Sequence, residues 1–164
     1  MLNNQKKIWI TGASSGIGKA LAEKFATEGW IVAVSARRKE ILEEMAKKEN
    51  IFSYPLDVTN QDNINEVFAK IIKDFNNINL CVFSSGTYDP KLEQEINIKQ
   101  NKFVMETNFF GVLYCIKSVE KYFKDKKDGH ISIVSSVAAY RGLPNSSGYG
   151  PSKAALTNLS ESLY

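Results

Sequence analysis

The chain holds a single histidine, His130, and only two cysteines, Cys81 and Cys115, in 164 residues. One histidine excludes a His-rich metal cluster and leaves no Ser/His/Asp triad to assemble, so no metal site is expected. One cysteine lies in a strand-like run and the other in a helical one, which suits buried small hydrophobes better than a disulfide. No apolar run approaches the ~20 residues that span a bilayer. Met1 to Lys7 is polar and leads directly into a strand-like run, unlike a signal peptide. A cytoplasmic protein without a membrane partner is the expectation. Charge of one sign is also missing: 21 basic residues against 18 acidic ones leave a net +3. The densest basic run, Lys121, Lys124, Lys126 and Lys127, precedes Asp128-Gly129, where a helix C-terminus favours cations, so no nucleic-acid partner is expected. There is no internal repeat, low-complexity tract or linker. With 43% apolar and 24% charged residues, the sequence reads as one globular domain over 1–164.

What is present alternates. Short runs rich in Ile, Val or Phe at Lys7 to Thr11, Ile31 to Ser35, Ile51 to Tyr54, Leu80 to Ser84 and His130 to Ser135 read as strands. Helical patterns lie between them. The clearest carries Ile64, Val67, Phe68, Ile71, Ile72 and Phe75 as one stripe, with Thr59 or Asn60 as its cap and Asn76-Asn77 as its end. Strict alternation predicts a doubly wound α/β fold, Rossmann-like, with a parallel sheet and helices on both faces. Residues 85–99 read as a loop over the site.

The first strand runs into Gly12-Ala13-Ser14-Ser15-Gly16-Ile17-Gly18 and then a helix. Such a turn gathers backbone N–H groups and the positive end of a helix dipole around a phosphate. Its spacing, G-x-x-x-G-x-G, differs from the common dinucleotide fingerprint, and Ala20 after Lys19 excludes a P-loop. An acidic residue is missing where the second strand ends in Ser35-Ala36-Arg37-Arg38. NAD-binding folds place an acid near that point to hold the ribose, whereas an arginine accommodates the 2′-phosphate of NADP. Arg37 is therefore the predicted phosphate ligand, with Arg38 as neighbour or solvated bystander, and NADP(H) is preferred over NAD(H). Asp57, beside Val58 after the third strand, either contacts adenine or caps the next helix.

Tyr149 and Lys153 stand four apart, one above the other if the segment is helical. Pro151 suits a first helical turn and places the helix start near Gly148. A free tyrosine ionises near pH ~10. An ammonium about 4 Å away supplies about 4 kcal/mol at a protein-like dielectric, enough to make a phenol an acid/base near neutrality. Ser136 ends the fifth strand. Asn108 is a poor helix former inside a helical stretch, which calls for a site to explain it. Phe109, Phe110, Val112, Tyr114, Ile116, Val119, Tyr122 and Phe123 make that stretch apolar around more than one face.

These motifs, in this order and with thirteen positions from Ser136 to Tyr149, resemble the short-chain dehydrogenase/reductase family in its single-domain branch. The likeness spans essentially all 164 residues. It implies an NADP(H)-dependent oxidoreductase interconverting a small-molecule carbonyl and a secondary alcohol. Tyr149 would be the acid/base, Ser136 would hold the substrate oxygen, Lys153 would bind the nicotinamide ribose, and Asn108 would hold a water leading to Lys153. The cofactor would lie on Gly12, Ser14, Ser15, Gly16, Ile17, Gly18, Arg37, Asp57, Val58 and Gly86, as well as Tyr149 and Lys153. The resemblance also implies a homodimer or homotetramer through the apolar helix and the last one. Two departures stand out. Phe83-Ser84-Ser85-Gly86 replaces the family's Asn-Asn-Ala-Gly, and the strands and substrate-covering segment that follow the last helix in the family are absent, so the fold is expected to be truncated after the helix carrying Tyr149 and Lys153. A non-catalytic nucleotide-binding or dimerisation module is the alternative reading.

Overall fold

Side chains alternate across a strand, so a five-residue strand commits its neighbours to two separate cores. The computed structural model describes residues 5–163; the reading of Met1 to Lys7 falls partly outside them, as does Tyr164. Five strands, β1 (Lys7–Thr11), β2 (Ile31–Ser35), β3 (Ile51–Ser53), β4 (Leu80–Phe83) and β5 (His130–Ile133), form one parallel sheet in the order β3-β2-β1-β4-β5. The doubly wound α/β expectation is met. Three strands end earlier than the apolar runs suggest, yet Tyr54 N–H still reaches the Val34 carbonyl (2.9 Å) and Val134 N–H the Phe83 carbonyl (3.0 Å).

On one face of the sheet Trp9, Ala33, Cys81 and Phe83 pack against α3 (Gln61–Phe75), α5 (Gly111–Lys126) and α6 (Tyr149–Ser162). On the other, Ile8, Ile10, Val32, Val34 and Val82 pack against α1 (Gly16–Thr27) and α2 (Lys39–Met45). Trp9 is fully buried between the rings of Phe68 and Phe83, and its indole N–H is satisfied by Ser35 Oγ at 2.9 Å. Truncating it to alanine would cost about 3–5 kcal/mol.

Local signals set the helix ends. Asn60 Oδ1 accepts the Asn63 N–H at 3.0 Å and starts α3, and Asn76 ends it with φ 62°. Asn97 caps α4 (Ile98–Met105) in the same manner. Between α4 and α5 the chain passes without a break through a widened π turn, Glu106–Phe110, centred on Asn108. Much of the apolar surplus of α5 is used within the chain: Val112, Cys115, Ile116 and Val119 are buried, and Tyr122 binds Asn77 and the Ile78 N–H. The rings of Phe109, Phe110 and Tyr114 form a short ladder whose middle member is 38% exposed. Among the described residues no helix is long and apolar enough to cross a membrane.

Candidate active site

The strand order reverses between β1 and β4, and in open parallel sheets such a reversal opens a crevice beyond the carboxyl ends of the strands. A cavity of about 500 Å³ lies there. Gly12, Ser14, Ser15, Gly16, Ile17 and Gly18 line it, together with Arg37, Val58 and Gly86, and so do Tyr149 and Lys153. The turn needs its glycines. Gly12 has φ 70°, and a Cβ there would sit 2.7 Å from the Ser84 carbonyl oxygen; one on Gly18 would sit 2.6 Å from Gly12 O. Ser84, within the departure from the family pattern, donates its hydroxyl to Thr11 O at 2.7 Å and ties β4 to the start of the turn. Ile17 is 60% exposed on the cavity, so this apolar residue is not spent on the core.

Arg38, not Arg37, holds the serines. Its Nε and Nη2 donate to Ser14 Oγ at 3.1 and 2.9 Å, and Nη2 also reaches Ser15 Oγ at 2.8 Å. Because the serines accept these bonds, their own O–H groups remain available to an anion. Of the two roles considered for Arg38, neighbour of Arg37 or solvated bystander, these bonds fit the first, while Arg37 is exposed on the cavity wall. Asp57 is not among the residues lining the cavity; its Oδ1 accepts the Thr59 N–H and hydroxyl at 3.0 and 2.8 Å, just ahead of the α3 cap at Asn60.

At the other group of ligating side chains, helix α6 starts at Tyr149 and carries Lys153 one turn on. Lys153 Nζ lies 5.8 Å from the Tyr149 ring centroid and donates to the Val134 carbonyl at 2.9 Å. Burial alone pushes its ammonium below the ordinary lysine range. Ser136 caps a short turn, Val137–Ala139, by accepting the Ala138 N–H at 3.2 Å, which leaves its O–H free to donate. Asn108 is fully buried and does not line the cavity. Its side chain accepts the Thr87 N–H at 2.7 Å and donates to Thr87 O and Ser152 Oγ, tying the segment after β4 to α6. The poor helix former thus sits where the π turn needs a side chain that bonds two ways.

Two further residues were silent in the sequence. Glu93, 2% exposed, reaches from the β4–α4 segment to accept the N–H groups of Gly148 (2.8 Å) and Tyr149 (3.0 Å) with Oε2, and its Oε1 has no partner. Tyr88 stacks on Tyr149. An acidic side chain 55 positions before the turn it caps leaves no local pattern to find.

A parallel sheet with a glycine turn at its reversal, facing a tyrosine and lysine one helical turn apart, is a Rossmann-like α/β arrangement. The chain belongs to the short chain dehydrogenase family, whose model matches residues 6–164. It is 34% identical over 165 residues to 11-beta-hydroxysteroid dehydrogenase 1A of Arabidopsis thaliana, covering 96% of this chain and 47% of that protein. An uncharacterized oxidoreductase of Mycobacterium tuberculosis is 33% identical, with 97% of this chain and 66% of that one covered. Among solved structures, a short-chain dehydrogenase from Streptomyces avermitilis superposes with a TM-score of 0.88 at 27% identity, covering 98% and 60% of the two chains. ElxO with NADP bound gives 0.87 at 29%, covering 94% and 65%. The chain thus spans about half the length of the plant relative and under two thirds of these solved chains.

Proposed function

We propose that the protein is an NADP(H)-dependent oxidoreductase that interconverts a carbonyl and a secondary alcohol, with Tyr149 as the acid/base. The observation that carries this reading is that one cavity is lined both by the glycine turn with its arginines and by Tyr149 with Lys153. The residues fit a dinucleotide phosphate: backbone that approaches too closely for a Cβ, the start of α1, and a guanidinium set on two serine hydroxyls. When bound, the nicotinamide supplies hydride chemistry. Tyr149 donates the proton that the substrate oxygen needs on reduction and takes it back on oxidation. Ser136, whose O–H is uncommitted, holds that oxygen. Lys153 keeps a cation beside the phenol and offers its remaining protons to a ribose hydroxyl, and a Cβ on Gly86 would touch its Nζ at 3.6 Å. Asn108 acts through position, by fixing Thr87 and Ser152 around Lys153. Dimer or tetramer formation belongs to the same proposal, supported by the exposed ladder around Phe110, as does a cytoplasmic location.

Parallel titrations of the full-length protein with NADPH and NADH test the reading. NADPH is expected to bind more tightly, and Arg38→Ala is expected to weaken it by about 10-fold or more, the worth of a charged hydrogen bond, with NADH little changed. Equal binding of the two, indifferent to Arg37 and Arg38, would remove the NADP preference. Binding of neither would sink the oxidoreductase reading, and binding without turnover of any carbonyl would favour the non-catalytic module.

A further inference from the structure

Tyr88 stands two residues beyond Gly86, in the segment between β4 and α4. Its ring lies against that of Tyr149 with centroids 4.5 Å apart and planes at 30°. Its hydroxyl donates to the Asn145 carbonyl at 3.1 Å, linking this segment to the one between β5 and α6. Asn145 takes φ 55°, a left-handed backbone that asparagine tolerates better than most residues. Tyr88 lines the cavity and is 43% exposed. Part of its ring is thus held by the proposed acid/base, and the rest is open to what binds there.

We propose that Tyr88 is a specificity-determining residue that selects carbonyl substrates bearing a flat aromatic or conjugated group directly on the carbonyl carbon. The inference rests on the oxidoreductase reading. A carbonyl oxygen hydrogen-bonded to the Tyr149 hydroxyl puts its carbon about 3.5 Å from that hydroxyl's oxygen. A substituent begins one bond further out and meets the ring stacked alongside Tyr149. A flat substituent gains an offset-stacked or edge-on contact there, which a saturated ring of equal size cannot make. The surroundings suit an apolar group. From Val134 to Ser160 the sequence has no acidic residue, and Val137 and Tyr140 are 77% and 81% exposed. Of the carboxylates nearest in sequence to Tyr88, Asp89 accepts the Lys91 N–H, and Glu93 is turned away to the first N–H groups of α6 with one of its two oxygens.

The test uses acetophenone and cyclohexyl methyl ketone, which share a carbon skeleton, on the full-length protein with wild type, Tyr88→Leu and Tyr88→Phe. Binding is read by ligand-observed NMR titration with NADP+ present, and reduction by loss of NADPH absorbance. Only the aryl-to-cyclohexyl ratio is compared, so the ketones' intrinsic reactivities cancel between variants. Relative to Tyr88→Leu, wild type is expected to favour acetophenone by roughly 3- to 10-fold in both readouts, with Tyr88→Phe retaining that ratio. A Tyr88→Leu ratio within about two-fold of wild type would overturn the proposal. A ratio lost equally in Tyr88→Phe would also overturn it, because the hydroxyl bridge to Asn145 would then be responsible. If the binding ratio follows Tyr88 but neither ketone is reduced, the carbonyl reading falls while ligand selection by Tyr88 stands.

Discussion

Tyr149 has neighbours on several sides: Tyr88 stacked on its ring, Lys153 near its ring, and Glu93 on its N–H. Only the hydroxyl distinguishes it from phenylalanine, and none of these three contacts uses it. Tyr149→Phe is therefore expected to leave the melting temperature and NADPH affinity of the full-length protein nearly unchanged while turnover falls by about 10²–10⁴, the usual worth of a positioned acid/base. A variant that keeps wild-type turnover would refute the role. The sequence made this residue legible because the pair at i and i+4 is local, as is the glycine turn. Arg38 was harder to place. Two consecutive arginines at a strand end look alike in one dimension, and which one bends back to Ser14 and Ser15 depends on where the chain turns into α2, which starts at Lys39.

Helices α3 and α6 are held by unequal caps. Asn60 caps α3 in an exposed setting, and Asn60→Ala is expected to cost about 1 kcal/mol. Glu93 caps α6 from a distant segment while buried, so Glu93→Ala strands the N–H groups of Gly148 and Tyr149 away from water. The expected loss is about 2–3 kcal/mol in urea unfolding, with Glu93→Gln recovering most of it because one amide oxygen can still accept. Equal losses for Asn60→Ala and Glu93→Ala would show that the buried cap is not special. The strands, the apolar stripe of α3 and its asparagine ends were readable from period and cap chemistry alone. The π turn was visible only as a misplaced asparagine. Glu93 and Tyr88 could not be read, since their partners lie 55 to 61 positions away and meet them only once the sheet has brought two loops to the same edge.

Across the whole molecule, the two cysteines report on cooperativity. Cys81 is on β4 and Cys115 on α5, both with no exposed surface and both in the core that packs α3, α5 and α6 against the sheet. Burial pushes both thiols above their ordinary range, so the folded protein holds them as unreactive thiols at neutral pH. Labelling by a thiol reagent then requires an opening that breaches the core. A nucleotide that binds only the folded chain stabilises it by about 2.7 kcal/mol at one hundred times its Kd. If β4 and α5 open only with the whole fold, saturating NADPH at that level is expected to slow labelling of both cysteines about 100-fold under conditions where reclosing outpaces labelling. The cavity proposed to hold the cofactor is built from the ends of β1, β2 and β4 and the start of α6, so an opening that frees either thiol should also dismantle the site. Labelling of Cys115 that ignores NADPH while Cys81 is protected would mean that α5 detaches by itself and that the sheet with its glycine turn is a separate cooperative unit.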